Sequence, residues 1–348
     1  MTLISHNDSR LAWLGAITVE TTEDFSRAWR IPFHKKGLFE ETLVLRAGMP
    51  AGVRLAFQSN TRALAVNLVP LEGNTKLDLM VDGRVLDTAT LDGRDRVEWN
   101  DLPEGEKRIE LWLPQRGQFD LRSLEIDDGA TFATVTDERL RWITYGSSIT
   151  HCGEAASPSQ TWPAIVAQAY DLYHFNLGYG GQCHLDPGIA RMIRDLPADF
   201  ISICAGINIQ GSGSLNARTF PSNLIGFVEI LREKHPTTPL VIISPIYSFK
   251  RETEPNVIGW NLCNYRKSVK ESVERLRAHG DHAIHYIDGL ELYDESLGHL
   301  MPDNLHPNAD GYRALGKRFI EQVGPVLFEP HGVPAVEEAN LRRVANIA

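Results

Sequence analysis

The 348-residue sequence predicts an α/β protein in which an antiparallel β-sandwich or jelly roll precedes a doubly wound parallel sheet. Three observations predict it. Up to about residue 130 the apolar residues recur at a period near two, turn signals punctuate that region, and after Leu140 short apolar runs alternate with segments of helical spacing. The expected boundaries follow: a sandwich over 1–133, a catalytic domain over 134–328, and a tail over 329–348.

In the first part, Val53 to Phe57, Lys76 to Val81, Arg108 to Leu113 and Leu121 to Ile126 alternate apolar with polar residues. Such runs read as half-buried antiparallel strands. Asp82-Gly83 stands between two of them as a hairpin signal, and Leu91-Asp92-Gly93 and Pro103-Glu104-Gly105 mark further turns. Trp99, Trp112 and Tyr145 at strand spacing read as core, not as a sugar platform. The sandwich is therefore expected to support the structure; a carbohydrate-binding module is the competing reading.

In the second part, apolar runs at 140–145, 173–177, 199–205, 240–246 and 284–288 are separated by helical segments. A parallel sheet is the consequence. One helix opens at Asp186-Pro187, with a capping side chain and a proline at the first position, and is expected to bury Ile189, Ile193 and Leu196. Another carries Leu224, Phe227, Val228 and Leu231, and a last one opens at Asn308 and buries Leu315, Phe319 and Val323. A short tail helix is expected around Val336, Ala339, Leu341 and Val344.

Composition narrows the function. With 43% hydrophobic and 23% charged residues, long disordered stretches are not expected. The 35 basic against 45 acidic residues leave a net charge of −10, which gives no support to nucleic-acid or anionic-membrane binding. The first residues lack a basic segment followed by an apolar one, and no later run is apolar enough to span a bilayer. A cytoplasmic protein is expected, and Cys152, Cys183, Cys204 and Cys263, scattered and without a C-x-x-C pair, suit a reducing compartment. Nothing in the sequence speaks against a homo-oligomer.

The chemistry is carried by polar residues at strand ends. A serine hydroxyl becomes a nucleophile at neutral pH when an imidazole takes its proton and a carboxylate orients that imidazole. Ser148 follows the first apolar run of the parallel sheet, and Asp303 and His306 lie three residues apart after the last. Loops beyond the carboxyl ends of parallel strands share one crevice, so these residues are expected to meet there, with Gly181 and Asn208 between them.

The four blocks Gly146-Ser147-Ser148-Ile149, Asn176 to Gly181, Gly206-Ile207-Asn208 and Asp303 to His306, in this order, resemble those of the SGNH hydrolases, the GDSL-type esterases and lipases. The resemblance covers roughly residues 138–325 and implies a flavodoxin-like sheet. It also implies Ser148 as nucleophile, His306 as general base and acid, Asp303 as orienting carboxylate, and an oxyanion hole of the Ser148 and Gly181 N–H groups with the Asn208 amide. Two positions depart from the family pattern: Ser147 stands where an aspartate usually precedes the nucleophile, and Ile209 where an aspartate often follows the asparagine. The two-part chain is closer to a subgroup with an N-terminal sandwich, similar to carbohydrate acetyl esterases and a salicylyl acyltransferase of a tetracycline pathway.

The expected activity is hydrolysis of a small O-acyl ester of a sugar or similar polyol through an acyl-serine. Transfer of the acyl group to an alcohol is the alternative within catalysis, and a noncatalytic carbohydrate-binding protein the alternative outside it. Arg251 and Glu252, in the long loop after the fourth strand, are candidate substrate contacts. No cofactor and no metal is expected, since His151, His184, Cys152 and Cys183 lack zinc-ligand spacing.

Overall fold

The computed structural model describes residues 1–333, so the expected tail helix lies outside the described residues. The described residues divide into two compact units, Met1–Glu138 with Ser157–Ser159, and Arg139–Ala156 with the described residues from Gln160 onward.

The first unit contains β1 (Thr2–Ser5), β2 (Ala12–Leu14), β3 (Thr18–Thr21), β4 (Ser26–Trp29), β5 (Arg54–Ser59), β6 (Leu64–Leu68), β7 (Lys76–Val81), β8 (Arg84–Thr90), β9 (Arg96–Trp99), β10 (Lys107–Trp112) and β11 (Asp120–Ile126), with one helix, α1 (Glu41–Ala47). They form two antiparallel sheets, ordered β3-β4-β11-β6-β9, with β1 also on β11, and β2-β5-β10-β7-β8. The β7–β8 hairpin turns through Asp82 and Gly83, both at positive φ (46° and 75°), the geometry that matches the twist of the flanking strands. Leu55, Phe57, Leu77, Leu79, Ile109 and Leu111 meet Val66, Leu121 and Leu124 of the other sheet in a shared apolar core. Trp99 and Trp112 are buried.

Strands β5, β7 and β10 are covered on both faces, not half-buried. Arg54, Asp78 and Glu110, on the side away from the core, are buried. Asp78 and Glu110 are answered by partners inside the unit. Asp78 accepts from Thr88 Oγ1, Ser157 Oγ and the Ser159 N–H, each at 2.7 Å, while Arg108 donates to Glu110 and to Asp137, each at 2.8 Å. Alternation in sequence cannot separate a solvated polar face from a buried one whose groups are paired.

The second unit is built on β12 (Arg141–Gly146), β13 (Tyr173–Gly178), β14 (Phe200–Cys204), β15 (Leu240–Ile243) and β16 (Ile284–Ile287). All pairings are parallel and the order is β13-β12-β14-β15-β16, the doubly wound arrangement in which the direction of strand addition reverses beside β12. Helices α2 (Ser148–His151), α3 (Trp162–Ala169), α4 (Pro187–Asp195), α5 (Ile207–Ser212), α6 (Phe220–Arg232), α7 (Leu262–Ala278), α8 (Gly289–Leu292), α9 (Ala309–Gln322) and α10 (Gly324–Leu327) connect and cover them. The wholly buried Leu240-Val241-Ile242-Ile243 of β15 has the composition expected of a strand covered on both faces.

One core joins Trp142 and Phe200 of the sheet to Trp162 of α3 and to Tyr312, Leu315 and Phe319 of α9. On α6, Leu224, Phe227, Val228 and Leu231 are buried, and Phe227 stacks on the buried Tyr145 of β12 at 5.2 Å. Helix α4 buries Ile189 and Ile193 but stops short of Leu196, which is extended and half-buried because Pro197 disfavours helical backbone in the residue before it. Asp186 takes the N-cap position with no capping bond from its side chain. Helix α9 is capped by Asn308, whose side chain accepts from the Gly311 N–H. Among the described residues no helix is long and apolar enough to cross a membrane.

Candidate active site

Each candidate side chain hangs from the carboxyl edge of the parallel sheet. Strand β12 ends at Gly146, and Ser147 then caps α2, its Oγ accepting from the Ile149 N–H at 3.2 Å. Ser148 is thereby the first helical residue, half-buried. The short helix is closed by Cys152 in the left-handed region (φ 59°) and sits tightly on β13: a Cβ at Gly178 would lie 2.3 Å from the His151 nitrogen. Only glycine permits that approach. Buried Asn176 ties the two together, donating to Thr150 O at 3.0 Å and accepting from the Gly178 N–H at 2.8 Å.

Ser148 Oγ and His306 Nε2 are 2.8 Å apart, and His306 Nδ1 and Asp303 Oδ2 are 2.6 Å apart. The other Asp303 oxygen accepts from the backbone N–H groups of Leu305 (3.0 Å) and His306 (2.7 Å). Burial works to raise the Asp303 pKa, yet the His306 N–H, its imidazole and the Leu305 N–H outweigh it, and the carboxyl lies below its ordinary value. An ionised Asp303 accepts the Nδ1–H hydrogen bond and so keeps that proton on Nδ1, which leaves Nε2 as the acceptor facing the Ser148 hydroxyl.

Three donors stand open at the same carboxyl edge of the sheet. The N–H groups of Ser148 and Gly181 have no hydrogen-bond acceptor among the described residues. Gly181 adopts φ +76°, which a residue with a side chain enters only under strain. The third is the Asn208 amide. Its Oδ1 accepts from the Cys183 N–H at 3.0 Å, so its nitrogen is the end left to donate. Asn208 is the second residue of α5, directly after β14.

Arg251 and Glu252 do not pair with each other. Glu252 turns to Arg266, Oε1 to Nη2 at 2.5 Å and Oε2 to Nη1 at 2.7 Å, and accepts from the Ser248 N–H at 3.1 Å; it closes its own turn. Arg251 Nη1 donates to Ile207 O (3.3 Å) and Gln210 Oε1 (3.2 Å) on α5. Ser248, which sequence reasoning passed over, donates from Oγ to Asn304 O at 2.9 Å and braces the loop between Asp303 and His306. A serine in a loop carries no periodic signal, so nothing in the sequence points to this bond. A cavity of about 210 Å³ abuts the same loop, lined by Tyr247, Phe249, Glu295, His299, Met301 and Asn304.

The cysteines and histidines beside the site are spoken for in other ways. His151 Nδ1 donates to Gly178 O at 3.1 Å, and His184 bonds Ser214 and Gly181 O. Burial pushes the Cys152 and Cys183 thiols well up, so both are inert packing groups at neutral pH.

Residues 140–327 match the GDSL-like lipase/acylhydrolase family, and residues 11–122 match the SsfX3 N-terminal domain. Among solved structures, the chain is similar to the salicylyl-acyltransferase SsfX3 from a tetracycline biosynthetic pathway, at 34% identity over 96% of this chain and 99% of that one, with a TM-score of 0.87. It shares its fold with a protein assigned as a GDSL-like lipase from Bacteroides ovatus (21% identity, 94% and 98% covered, TM-score 0.74). A family two carbohydrate esterase from Cellvibrio japonicus also shares it (18% identity, 94% and 98% covered, TM-score 0.64). No curated protein sequence matched the chain. An SGNH-type sheet, the family match across its length and the sandwich that precedes it lead to one conclusion: the chain belongs to the GDSL-like lipase/acylhydrolase family and is an acyl-transferring enzyme.

Proposed function

We propose that the protein is a serine esterase that releases small O-acyl groups, acetyl foremost, from a carbohydrate or similar polyol. The observation that carries the reading is the unbroken line Ser148 Oγ, His306 Nε2, His306 Nδ1, Asp303 Oδ2, with separations of 2.8 and 2.6 Å across its two contacts.

Ser148 Oγ attacks the ester carbonyl carbon as His306 Nε2 takes its proton. The carbonyl electron pair moves onto oxygen, where the N–H groups of Ser148 and Gly181 and the Asn208 amide nitrogen stabilise it. Collapse expels the alcohol, which receives the proton from His306, and leaves an acyl-serine. A water then repeats the cycle, with His306 as base, and the carboxylic acid departs. Asp303 stabilises the imidazolium in both halves.

Water as acceptor is favoured by exposure. The His306 side chain is 30% exposed and that of Asp303 55%, so solvent reaches the base. A polyol as the alcohol half is favoured by the cavity beside the loop, where Tyr247 and Phe249 offer apolar ring surface and Glu295 and His299 offer polar edges. Transfer to an alcohol acceptor is the second reading, and the 34% identity to a salicylyl-acyltransferase over nearly the whole chain is what favours it. The cytoplasm is the proposed location, in keeping with four free cysteines.

The test is a panel of short and aromatic acyl esters offered with and without sugar acceptors, reading the partition between free acid and transferred ester. Predominant transfer overturns the esterase reading. Full activity in Ser148→Ala overturns the serine mechanism, and failure of a fluorophosphonate to label Ser148 revives a noncatalytic binding protein.

A further inference from the structure

Arg251 is a half-buried cation that the protein does not neutralise. It sits in the single turn of 3-10 helix Phe249–Glu252, on the loop after β15. Its Nη1 reaches Ile207 O and Gln210 Oε1, the residues flanking Asn208 on α5. Gly211 makes room for it, since a Cβ there would stand 2.8 Å from Nη1.

Neither neighbouring carboxylate pairs with it. Glu252, the next residue, has both oxygens on Arg266. Asp303 is near enough for its charge to favour the protonated guanidinium, but its own oxygens are held by His306 and the Leu305 N–H. Nε and Nη2 of Arg251 have no acceptor among the described residues. Burial accordingly pulls the Arg251 pKa below its ordinary value, as expected for a charge that has lost water without gaining a counter-ion. A guanidinium with an Nη and the Nε open presents two parallel donors spaced for a carboxylate. On a chain of net charge −10, it is also a local reversal of sign beside the crevice.

We propose that Arg251 recognises a carboxylate on the substrate, so that the preferred ester carries an acidic group near the bond that breaks. The inference rests on the acyl-serine reading and names the substrate class for that site. The carboxylate belongs either to the alcohol half, as in an acylated uronic acid, or to the acyl half, as in a dicarboxylic monoester.

Two matched pairs of esters separate these sources and test the proposal. One is an O-acetylated methyl glucuronoside against its carboxyl methyl ester; the other is the 4-nitrophenyl monoester of glutaric acid against 4-nitrophenyl valerate. The wild-type protein is expected to prefer the acidic member of one pair by about 10- to 100-fold in kcat/KM, mostly through KM, the range of a hydrogen bond to a charged group. Added salt should shrink that preference. Arg251→Gln, which keeps donors for Ile207 O and Gln210, should bring the ratio close to one. Arg251→Lys should retain part of it, and Gly211→Ala, which displaces the guanidinium without removing its charge, should lower it.

The proposal is overturned if the wild type shows no preference in either pair. It is equally overturned if Arg251→Gln lowers both members of the preferred pair by one factor, the mark of a brace for α5. Melting curves establish that each variant is folded, and Gly211→Ala and Arg251→Lys carry the test if Arg251→Gln is not. Failure of the underlying reading has its own signature, turnover of every ester by Ser148→Ala.

Discussion

The Asn208 side-chain oxygen accepts the Cys183 N–H at 3.0 Å, and that one bond decides which end of the amide is left to donate. A backbone N–H cannot accept, so the assignment follows from chemistry and not from electron counting. Asn208→Asp keeps the bond to Cys183 but replaces the donor with a second acceptor. Its kcat is expected to fall about 100- to 1,000-fold with little change in KM, as for loss of one oxyanion donor. Steady-state kinetics on a short acyl ester check it; equal losses in Asn208→Asp and in a variant remote from the site would remove Asn208 from the mechanism.

Ser148→Ala removes the hydroxyl that the proposed mechanism uses to form the acyl bond. Activity should drop by roughly 10⁴-fold or more, and fluorophosphonate labelling should vanish while the melting temperature stays close to wild type. Intact-mass spectrometry reads the label directly.

Asp303→Asn keeps the shape of the loop and loses the charge. A fall in kcat of about 10³- to 10⁴-fold is expected, because the imidazole loses its preferred tautomer. Stability carries a second signature. The Asp303 pKa is lower in the folded chain than its ordinary 3.8, so its contribution is fully present above that value and is lost as the pH falls through the folded one. The melting-temperature gap between wild type and Asp303→Asn should therefore be widest near neutrality and close below pH 3.8.

Glu252→Gln leaves Arg266, only 7% exposed in its side chain, without its counter-charge. A loss of about 3 kcal/mol is expected from urea unfolding, within the range for breaking one partner of a buried pair. The loop after β15 should loosen with it, because Arg266 also donates to Pro245 O at 2.8 Å.

Thiol chemistry separates the four cysteines. Burial pushes the Cys204 thiol up to about 12 and holds the Cys152 and Cys183 thiols well above their ordinary value, whereas Cys263 is exposed on α7. A maleimide at pH 8 should add once to the native protein, at Cys263, and four times after denaturation. Peptide mapping locates the adduct, and labelling of Cys183 in the native state would contradict the packing described.

The sequence by itself determined the two fold types and the order of the candidate residues along the chain. Period-two patterning before residue 130 and alternating strands and helices after it are local properties, set by which side of an element faces the core. Ser148, Asp303 and His306 were legible for a related reason, since a parallel sheet sends every carboxyl-edge loop to one crevice wherever its residues lie in the chain.

Tertiary structure alone decided the charges and the buried polar faces. Arg251 and Glu252 are sequence neighbours of opposite sign and both read as candidate substrate contacts, yet Glu252 is taken by Arg266 from a different helix and Arg251 is left over. Asp78 reads as solvated and is instead buried under Ser157 and Ser159, some eighty residues away. The physical reason is one and the same. Apolar burial follows local periodicity, whereas the partner of a polar group is whatever donor or acceptor the fold brings within about 3 Å, and that distance is not written in any stretch of sequence.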